Sequence, residues 1–171
     1  QNENIWNFNF IYNIFNKLES ERKMGKIKVV IADDVNVIAE QHKKVASSFS
    51  EIDVIGIAKN GQEEYEMIVN LQPDLVITDN QMPEKNGIDV IELVNNSSIA
   101  HKPQFILVTG DSGAEFNKKA YDLGVFKVIS KISYESQLKY AIDDFLYLQS
   151  TNESDIIEKH QVKKESFFEK I

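Results

Sequence analysis

The sequence predicts a doubly wound, three-layer α/β domain built on a five-stranded parallel sheet. Five short apolar runs lie between residues 27 and 130, and they are nearly continuous instead of alternating. Such runs are typical of strands buried on both faces of a parallel sheet. Each run is followed by a stretch with helical spacing, and repeated strand–helix units place helices on both faces of one sheet.

The elements follow in order along the chain. The predicted strands span residues 27–32, 54–58, 75–78, 105–109 and 125–130, and the predicted helices span residues 36–49, 62–71, 87–95, 114–123 and 134–148. In the fourth helix Phe116, Ala120 and Leu123 fall on one stripe, and Gly124 ends the helix. Pro73 separates the second helix from the third strand, while Gly61 and Gly87 mark turns or helix starts.

Two flanking segments differ from this domain of residues 24–149. Residues 1–23 are rich in Asn and aromatic residues and form a one-sided helical pattern. We interpret them as an extension before a natural start at Met24, or as an amphipathic helix that docks on a partner or a membrane surface, although its polar face is rich in Asn where a membrane binder carries Lys and Arg. Interspersed Asn residues argue against a membrane span, and no cleavage pattern indicates a signal peptide. Residues 150–171 form a charged tail.

Composition excludes several classes of function. The 171-residue chain has a formal net charge of −8, so it lacks the general attraction to phosphate backbones on which nonspecific nucleic-acid binding depends. It contains no cysteine, which rules out disulfides, thiol nucleophiles and thiolate metal sites. We therefore expect no direct contact with nucleic acid or membrane, and a cytoplasmic location.

Polar residues stand at the ends of the predicted strands. They are Asp33 and Asp34, Asp79, Thr109 and Lys131. In an open α/β sheet, ligands bind beyond the carboxyl ends of the strands. Clustered carboxylates repel one another and need a counter-charge, and Mg²⁺ is the natural candidate because it prefers oxygen ligands and keeps waters that a phosphate can displace. An aspartyl phosphate is the expected product of such a site.

These motifs resemble the receiver domain of bacterial two-component response regulators. The likeness covers about Lys26 to Leu148 and depends on four separated pieces: IADD at 31–34, DLVITDNQMPEKNG at 74–87, VTGDSG at 108–113, and Lys131 after an apolar strand. Within that family, KIKVVIADD and VIGIAKNGQE are similar to sporulation-type regulators. The resemblance implies a flavodoxin-like fold with strand order 2-1-3-4-5.

The resemblance also implies roles for individual residues. Asp79 is the expected phosphoacceptor, Asp34 a direct Mg²⁺ ligand, Asp33 a ligand largely through water, and the backbone carbonyl of Gln81 a further ligand. Thr109 and Lys131 are expected to sense the phosphoryl group. Its donor is a sensor histidine kinase or a phosphotransfer protein.

The expected readout is a protein partner bound through helix 4, strand 5 and helix 5. With no output domain fused in this sequence, we expect a stand-alone switch, with homodimerisation left open. We expect no enzymatic activity apart from catalysis of its own phosphorylation and dephosphorylation.

Three departures from the family pattern leave an alternative open. Ile132 follows the lysine where the family usually has a cis proline, Val128 stands where an aromatic side chain swings inward, and Val35 replaces a usual polar residue. A pseudo-receiver that binds partners without phosphorylation is therefore the second hypothesis. A phosphohydrolase that works through an aspartyl phosphate is the third, although Gln81 stands where it needs its general acid.

Several titratable residues have plainer interpretations. His42 lies on the inward stripe of the first helix, which favours a buried core-edge histidine over a phosphate relay. His101 and His160 are expected at the surface. We expect Glu63, Glu64 and Glu66 on the solvated side of the second helix.

Overall fold

The computed structural model describes residues 25–110, 113–132 and 134–150, and these form five strands and five helices in strict alternation. The strands are β1 (Ile27–Ala32), β2 (Ile52–Ala58), β3 (Leu75–Asp79), β4 (Gln104–Thr109) and β5 (Lys127–Ser130). The helices are α1 (Asn36–Ala46), α2 (Gly61–Leu71), α3 (Gly87–Asn96), α4 (Ala114–Asp122) and α5 (Tyr134–Ser150). The predicted α/β class is confirmed.

All four strand pairings are parallel, and the strand order is β2-β1-β3-β4-β5. Residues that end neighbouring strands therefore lie at one edge of the sheet. In the pairing of β1 with β3, Ala32 lies opposite Thr78, so the residues that follow them, Asp33 and Asp79, are brought together. This order places the winding reversal between β1 and β3, where ligands bind in open α/β sheets.

The sheet separates two hydrophobic cores. One core packs α1 and α5 against side chains such as Val29, Ile77 and Ile106. The other packs α2, α3 and α4 against the alternate side chains of the same strands, such as Val30 and Val76. Because successive side chains of a strand point to opposite faces, every central strand is apolar on both sides, which explains the continuous apolar runs.

Most predicted boundaries agree with the structure within two or three residues. The strand β2 begins at Ile52, two residues before the prediction, because Ile52 pairs with Ile27. The strand β5 begins at Lys127 instead of residue 125, since the amide of Val125 donates to the Ala120 carbonyl in the turn that ends α4. That turn contains Gly124 with φ of +85°, as its predicted role at the end of the helix requires.

The structure does not test the flanking segments. The predicted amphipathic helix of residues 1–23 and all of the charged tail except Ser150, which ends α5, lie outside the described residues. Within the described part of the chain, no helix has the length and apolar character needed to cross a bilayer.

Candidate metal and phosphoryl site

Three carboxylates meet where β1 and β3 end. Asp33 and Asp34 follow β1, Asp79 is the last residue of β3, and one oxygen from each lies within 4.8 Å of the others. Asp33 and Asp79 are buried, whereas Asp34 is exposed and opens the cluster to solvent. The predicted convergence of these three residues is thus present in the structure.

Asp33 is held in place by one of its two oxygens. Its Oδ1 atom accepts a hydrogen bond of 2.9 Å from the amide of Val35, while its buried Oδ2 atom has no hydrogen-bond partner among the described residues. Burial raises the pKa of Asp33, and the neighbouring carboxylates of Asp79 and Asp34 raise it further, against the opposing effects of the Val35 amide and of Lys131. A buried carboxylate oxygen without a donor fits a bound cation.

Asp79 contacts two groups that polarise its carboxylate. Its Oδ1 atom accepts a hydrogen bond of 3.1 Å from the amide of Gln81, and its Oδ2 atom pairs with Lys131 Nζ at 2.6 Å. Lys131 extends from the end of β5 and remains about one-third exposed, with a side-chain exposure of 35%. Three carboxylates and one ammonium leave a net charge of −2, the charge that a divalent ion neutralises.

Thr109 and Gly110 form the side of the site that follows β4. Thr109 is buried, and its carbonyl accepts a hydrogen bond of 2.9 Å from the amide of Lys131, which connects the ends of β4 and β5. A methyl group built on Gly110 would meet no atom of the described residues within 4 Å, apart from its chain neighbours.

The loop between β3 and α3 is tightly packed under the site. The amide of Gly87 donates to the Asn80 carbonyl, and the amide of Ile88 donates to the Asn80 side chain. A Cβ on Gly87 would lie 2.6 Å from the Asp79 carbonyl oxygen, closer than real Cβ atoms approach. Gly87 therefore shapes this loop by allowing close backbone contact, and α3 starts there, in agreement with the prediction that Gly87 marks a turn or a helix start.

The structure shows what surrounds Val128 and which form the peptide bond after Lys131 takes. Val128 is half-buried in the core beneath α2, α3 and α4, whereas Phe126 and Tyr134 pack in the other core. Tyr134 also donates a hydrogen bond to Gln41, so neither aromatic side chain takes the place of the missing one. The peptide bond between Lys131 and Ile132 is trans, as are all those of the described residues.

His42 is fully buried in α1, as predicted, with its ring edge against Tyr134. Burial and the charge of Lys131 lower its pKa to about 4. His101 is exposed beside Asp74, as predicted, and His160 lies outside the described residues. A buried, neutral histidine is not placed to relay phosphate.

One expectation was wrong. Glu64 is not on the solvated side of α2 but has no exposed surface at all, and its Oε2 atom lies 3.0 Å from the hydroxyl of Thr78. Its position relative to Gly61 and Ile68 (i, i+3, i+7) is the signal that identifies this face, since both are also buried. Glu66, on the other side of the helix, is exposed as expected.

Comparison with known proteins identifies the family. A family model described as the response regulator receiver domain matches residues 29–143. The chain therefore belongs to the response regulator receiver domain family, and the resemblance drawn from its motifs is confirmed.

Curated relatives contain this domain within longer proteins. A protein-glutamate methylesterase/protein-glutamine glutaminase of Methanococcus maripaludis is 35% identical over 113 residues, which are 64% of this chain and 30% of that protein. The uncharacterized transcriptional regulatory protein YesN of Bacillus subtilis is 33% identical over 120 residues, or 70% of this chain and 32% of that protein. The chain thus matches about a third of the length of these relatives.

Solved structures share the fold. The response regulator domain of Thermotoga maritima CheB superposes with a TM-score of 0.65 at 23% identity, over 74% of this chain and 98% of that one. The isolated receiver domain of RcsB from Salmonella enterica, determined with the phosphomimetic BeF₃⁻, gives a TM-score of 0.66 at 19% identity, over 72% and 90%. The flavodoxin-like architecture is confirmed, while the likeness to sporulation-type regulators stays a prediction.

Proposed function

We propose that this receiver domain accepts a phosphoryl group on Asp79 and thereby switches its contacts with a protein partner. The observation that supports this most is the position of Asp79, a buried carboxylate at the winding reversal with Asp33, Asp34 and Lys131 around it. A carboxylate oxygen of Asp79 attacks phosphorus, and the bond from phosphorus to the donor breaks as the Asp–O–P bond forms. The donor keeps the electron pair of the broken bond.

The residues present fit Mg²⁺. The donor set is all oxygen, Asp33 has a buried Oδ2 atom without a hydrogen-bond partner among the described residues, and the cluster has a surplus of negative charge. Asp33, Asp34, Asp79 and the backbone carbonyl of Gln81 are the proposed ligands. The bound ion would supply charge neutralisation for the phosphoryl oxygens, which is the main source of catalysis in such transfers.

Lys131 and Thr109 are the proposed sensing residues. In the resting protein, Lys131 neutralises part of the Asp79 charge. After transfer, the phosphoryl oxygens carry more negative charge than the carboxylate did, so the mobile ammonium and the Thr109 hydroxyl are drawn toward them. Because the carbonyl of Thr109 accepts a hydrogen bond from the amide of Lys131, β4 and β5 are expected to move together.

Mass spectrometry tests the acceptor. Incubation with acetyl phosphate and Mg²⁺ is expected to add one phosphoryl group to the protein, and Asp79→Asn is expected to add none. Asp53→Asn, which changes an exposed acid on β2, is the matched control and should be modified like the wild type. An unmodified wild-type protein would contradict the proposal.

Beryllofluoride separates a switch from a pseudo-receiver. If the domain is a switch, nuclear magnetic resonance shifts induced by beryllofluoride and Mg²⁺ should extend from the site to α4, β5 and α5. Shifts confined to the loops around Asp33 and Asp79 would favour the pseudo-receiver, which the valine at position 128 keeps open as a second candidate.

Partners follow from the same proposal. The phosphoryl donor would be a sensor histidine kinase or a histidine phosphotransfer protein in the cytoplasm, and the effector a protein that binds the face of α4, β5 and α5. We propose a non-enzymatic signalling role that includes no direct nucleic-acid contact by the described residues. The proposal gives no role to a phosphohydrolase activity, because Gln81 provides no acid two residues after Asp79.

A further inference from the structure

Glu64 is a fully buried acid that contacts the residue before the proposed phosphoacceptor. It belongs to the first turns of α2 and faces the core that α2, α3 and α4 share with the sheet. Its Oε2 atom lies 3.0 Å from Thr78 Oγ1, and its Oε1 atom has no hydrogen-bond partner in the part of the chain that the structure describes. Thr78 immediately precedes Asp79 on β3 and is itself buried.

The hydroxyl of Thr78 lies within hydrogen-bond distance of two oxygens. Besides Glu64 Oε2, it is 3.1 Å from the main-chain carbonyl oxygen of Asp79. A hydroxyl has only one proton to donate, but it can also accept. If Glu64 were ionised, both neighbours would be acceptors and one contact would lack a proton. If Glu64 is protonated, its hydroxyl donates a hydrogen bond to Thr78 Oγ1, and the Thr78 hydroxyl donates one to the main-chain carbonyl of Asp79.

We propose that Glu64 is a positioning residue, which as a neutral carboxylic acid donates to Thr78 and so directs the Thr78 hydroxyl to the main-chain carbonyl of Asp79. This inference depends on the proposed function of Asp79. The same carbonyl oxygen lies against Gly87, at the start of α3. A relay from Glu64 through Thr78 therefore connects α2 to the backbone from which the phosphoacceptor extends.

The environment of Glu64 agrees with a neutral acid. Burial raises its pKa to about 8, and the Thr78 contact opposes this only in part. The titratable residues on the elements packed against α2 are not among the causes of this shift; they are Lys28 on β1, Asp53 on β2, Asp79 on β3, and Asp89 and Glu92 on α3. No ion pair with any of them therefore compensates a charge on Glu64.

Carbon-13 nuclear magnetic resonance of protein labelled at the glutamate carboxyl tests the neutral acid directly. One carboxyl signal, assigned by its loss in Glu64→Gln, is expected to titrate near pH 8. The main-chain carbonyl signal of Asp79 should shift with the same midpoint. In Thr78→Val that carbonyl shift should disappear. The proposal would be overturned if the Glu64 signal had the titration midpoint of an ordinary glutamate. It would also be overturned if the Asp79 carbonyl signal did not shift when Glu64 titrates.

The rate of phosphoryl transfer tests the consequence for Asp79. With acetyl phosphate and Mg²⁺, we compare the rate of the wild type with that of Glu64→Gln. The ratio of the two rates is expected to fall about 3- to 10-fold between about pH 7 and about pH 9. Over this range Glu64 loses the proton that it donates to Thr78, whereas the amide of the variant can donate at every pH. Glu66→Gln, which changes an exposed acid of the same helix, should keep the wild-type profile. Parallel profiles of wild type and Glu64→Gln would overturn the positioning role.

The two measurements also separate this inference from the proposed function. If the wild type accepts no phosphoryl group at any pH, the proposed role of Asp79 is wrong. The pH-dependent shift of the Asp79 main-chain carbonyl signal then still decides whether Glu64 positions the backbone of Asp79. A purely structural Glu64 would change the melting temperature of its variants without changing the pH profile of the rate.

Discussion

Lys131 Nζ lies 2.6 Å from Asp79 Oδ2, although the two residues are 52 positions apart in the chain. The contact joins the ends of β3 and β5, which are not neighbours in the sheet, across the end of β4. Under the proposed function, Lys131 therefore occupies one of the two oxygens of the acceptor before phosphoryl transfer. One ammonium offsets only part of the charge of the three acids.

Removal of this ammonium should strengthen cation binding. We predict that Lys131→Met raises Mg²⁺ affinity about 2- to 5-fold, because the cluster then has one more uncompensated negative charge and the partly exposed pair is worth about 0.5–1 kcal/mol. Isothermal titration calorimetry measures the change. Lys127→Met, which removes an exposed partner of Asp144, is the control and should bind Mg²⁺ like the wild type. Unchanged or weaker binding in Lys131→Met would contradict the charge argument.

Mg²⁺ should stabilise the folded domain. At ten times its dissociation constant, the ion is expected to contribute about 1.4 kcal/mol and raise Tm by about 3–8 °C. Asp33→Asn should lose most of this gain and have a higher Tm than the wild type without Mg²⁺, because it removes a buried charge repelled by Asp79 and Asp34. Scanning calorimetry with and without Mg²⁺ measures both effects, with NaCl of equal ionic strength as control. Equal gains in both proteins would exclude Asp33 as a ligand.

Gly87 should tolerate no side chain. A Cβ there would lie 2.6 Å from the Asp79 carbonyl oxygen and 3.1 Å from Thr78 Oγ1, so we predict that Gly87→Ala lowers the free energy of unfolding by about 1–3 kcal/mol. Gly110→Ala, where the added methyl meets no described residue within 4 Å except its chain neighbours, should change the free energy of unfolding by less than about 0.5 kcal/mol. Urea denaturation measures both free energies of unfolding. Equal effects of the two substitutions would show that the loop between β3 and α3 relaxes to accommodate the methyl group, and would contradict the prediction.

Glu64 should make stability depend on pH. Its pKa is raised to about 8 in the folded protein against an ordinary value of 4.5, so the folded state holds a proton that the unfolded chain has lost between these values. Its contribution is fully favourable below about pH 4.5 and declines by up to about 1.4 kcal/mol per pH unit as pH rises toward about 8. Denaturation across this range should show a shallower decline for Glu64→Gln than for the wild type. Identical slopes would mean that Glu64 is ionised when folded.

Sequence alone predicted the strands of the sheet and the meeting of the three acids at its edge, because both depend on strong local signals. Continuous apolar runs identify strands buried on two sides, and polar residues directly after them identify the functional edge, as with Asp33 and Asp79. Strand order is a long-range property that came from the family resemblance, and the pairings of β1 with β2 and β3 confirm it.

Other features depend on contacts that a single sequence does not display. Glu64 lies in the polar first half of α2, next to Tyr65 and Glu66. The prediction therefore treated it as a solvated acid, although its spacing from Ile68 places it on the buried face of the helix. The late start of β5 depends on the turn after α4 and on the pairing of Lys127 with Ile106. Such features are decided by tertiary packing, which overrides local preference.

The pairing of β1 with β3 joins Val29 to Leu75, so the central ladder closes over a separation of 46 residues. Asp33 and Asp34 emerge early during synthesis, but they remain two isolated acids until a much later segment has been made and docked. Under the proposed function, cation binding therefore waits for the pairing of β1 with β3, and a chain arrested before residue 79 has only two of the three proposed carboxylate ligands. Uptake of Mg²⁺ would then mark the moment during synthesis at which the centre of the sheet has formed.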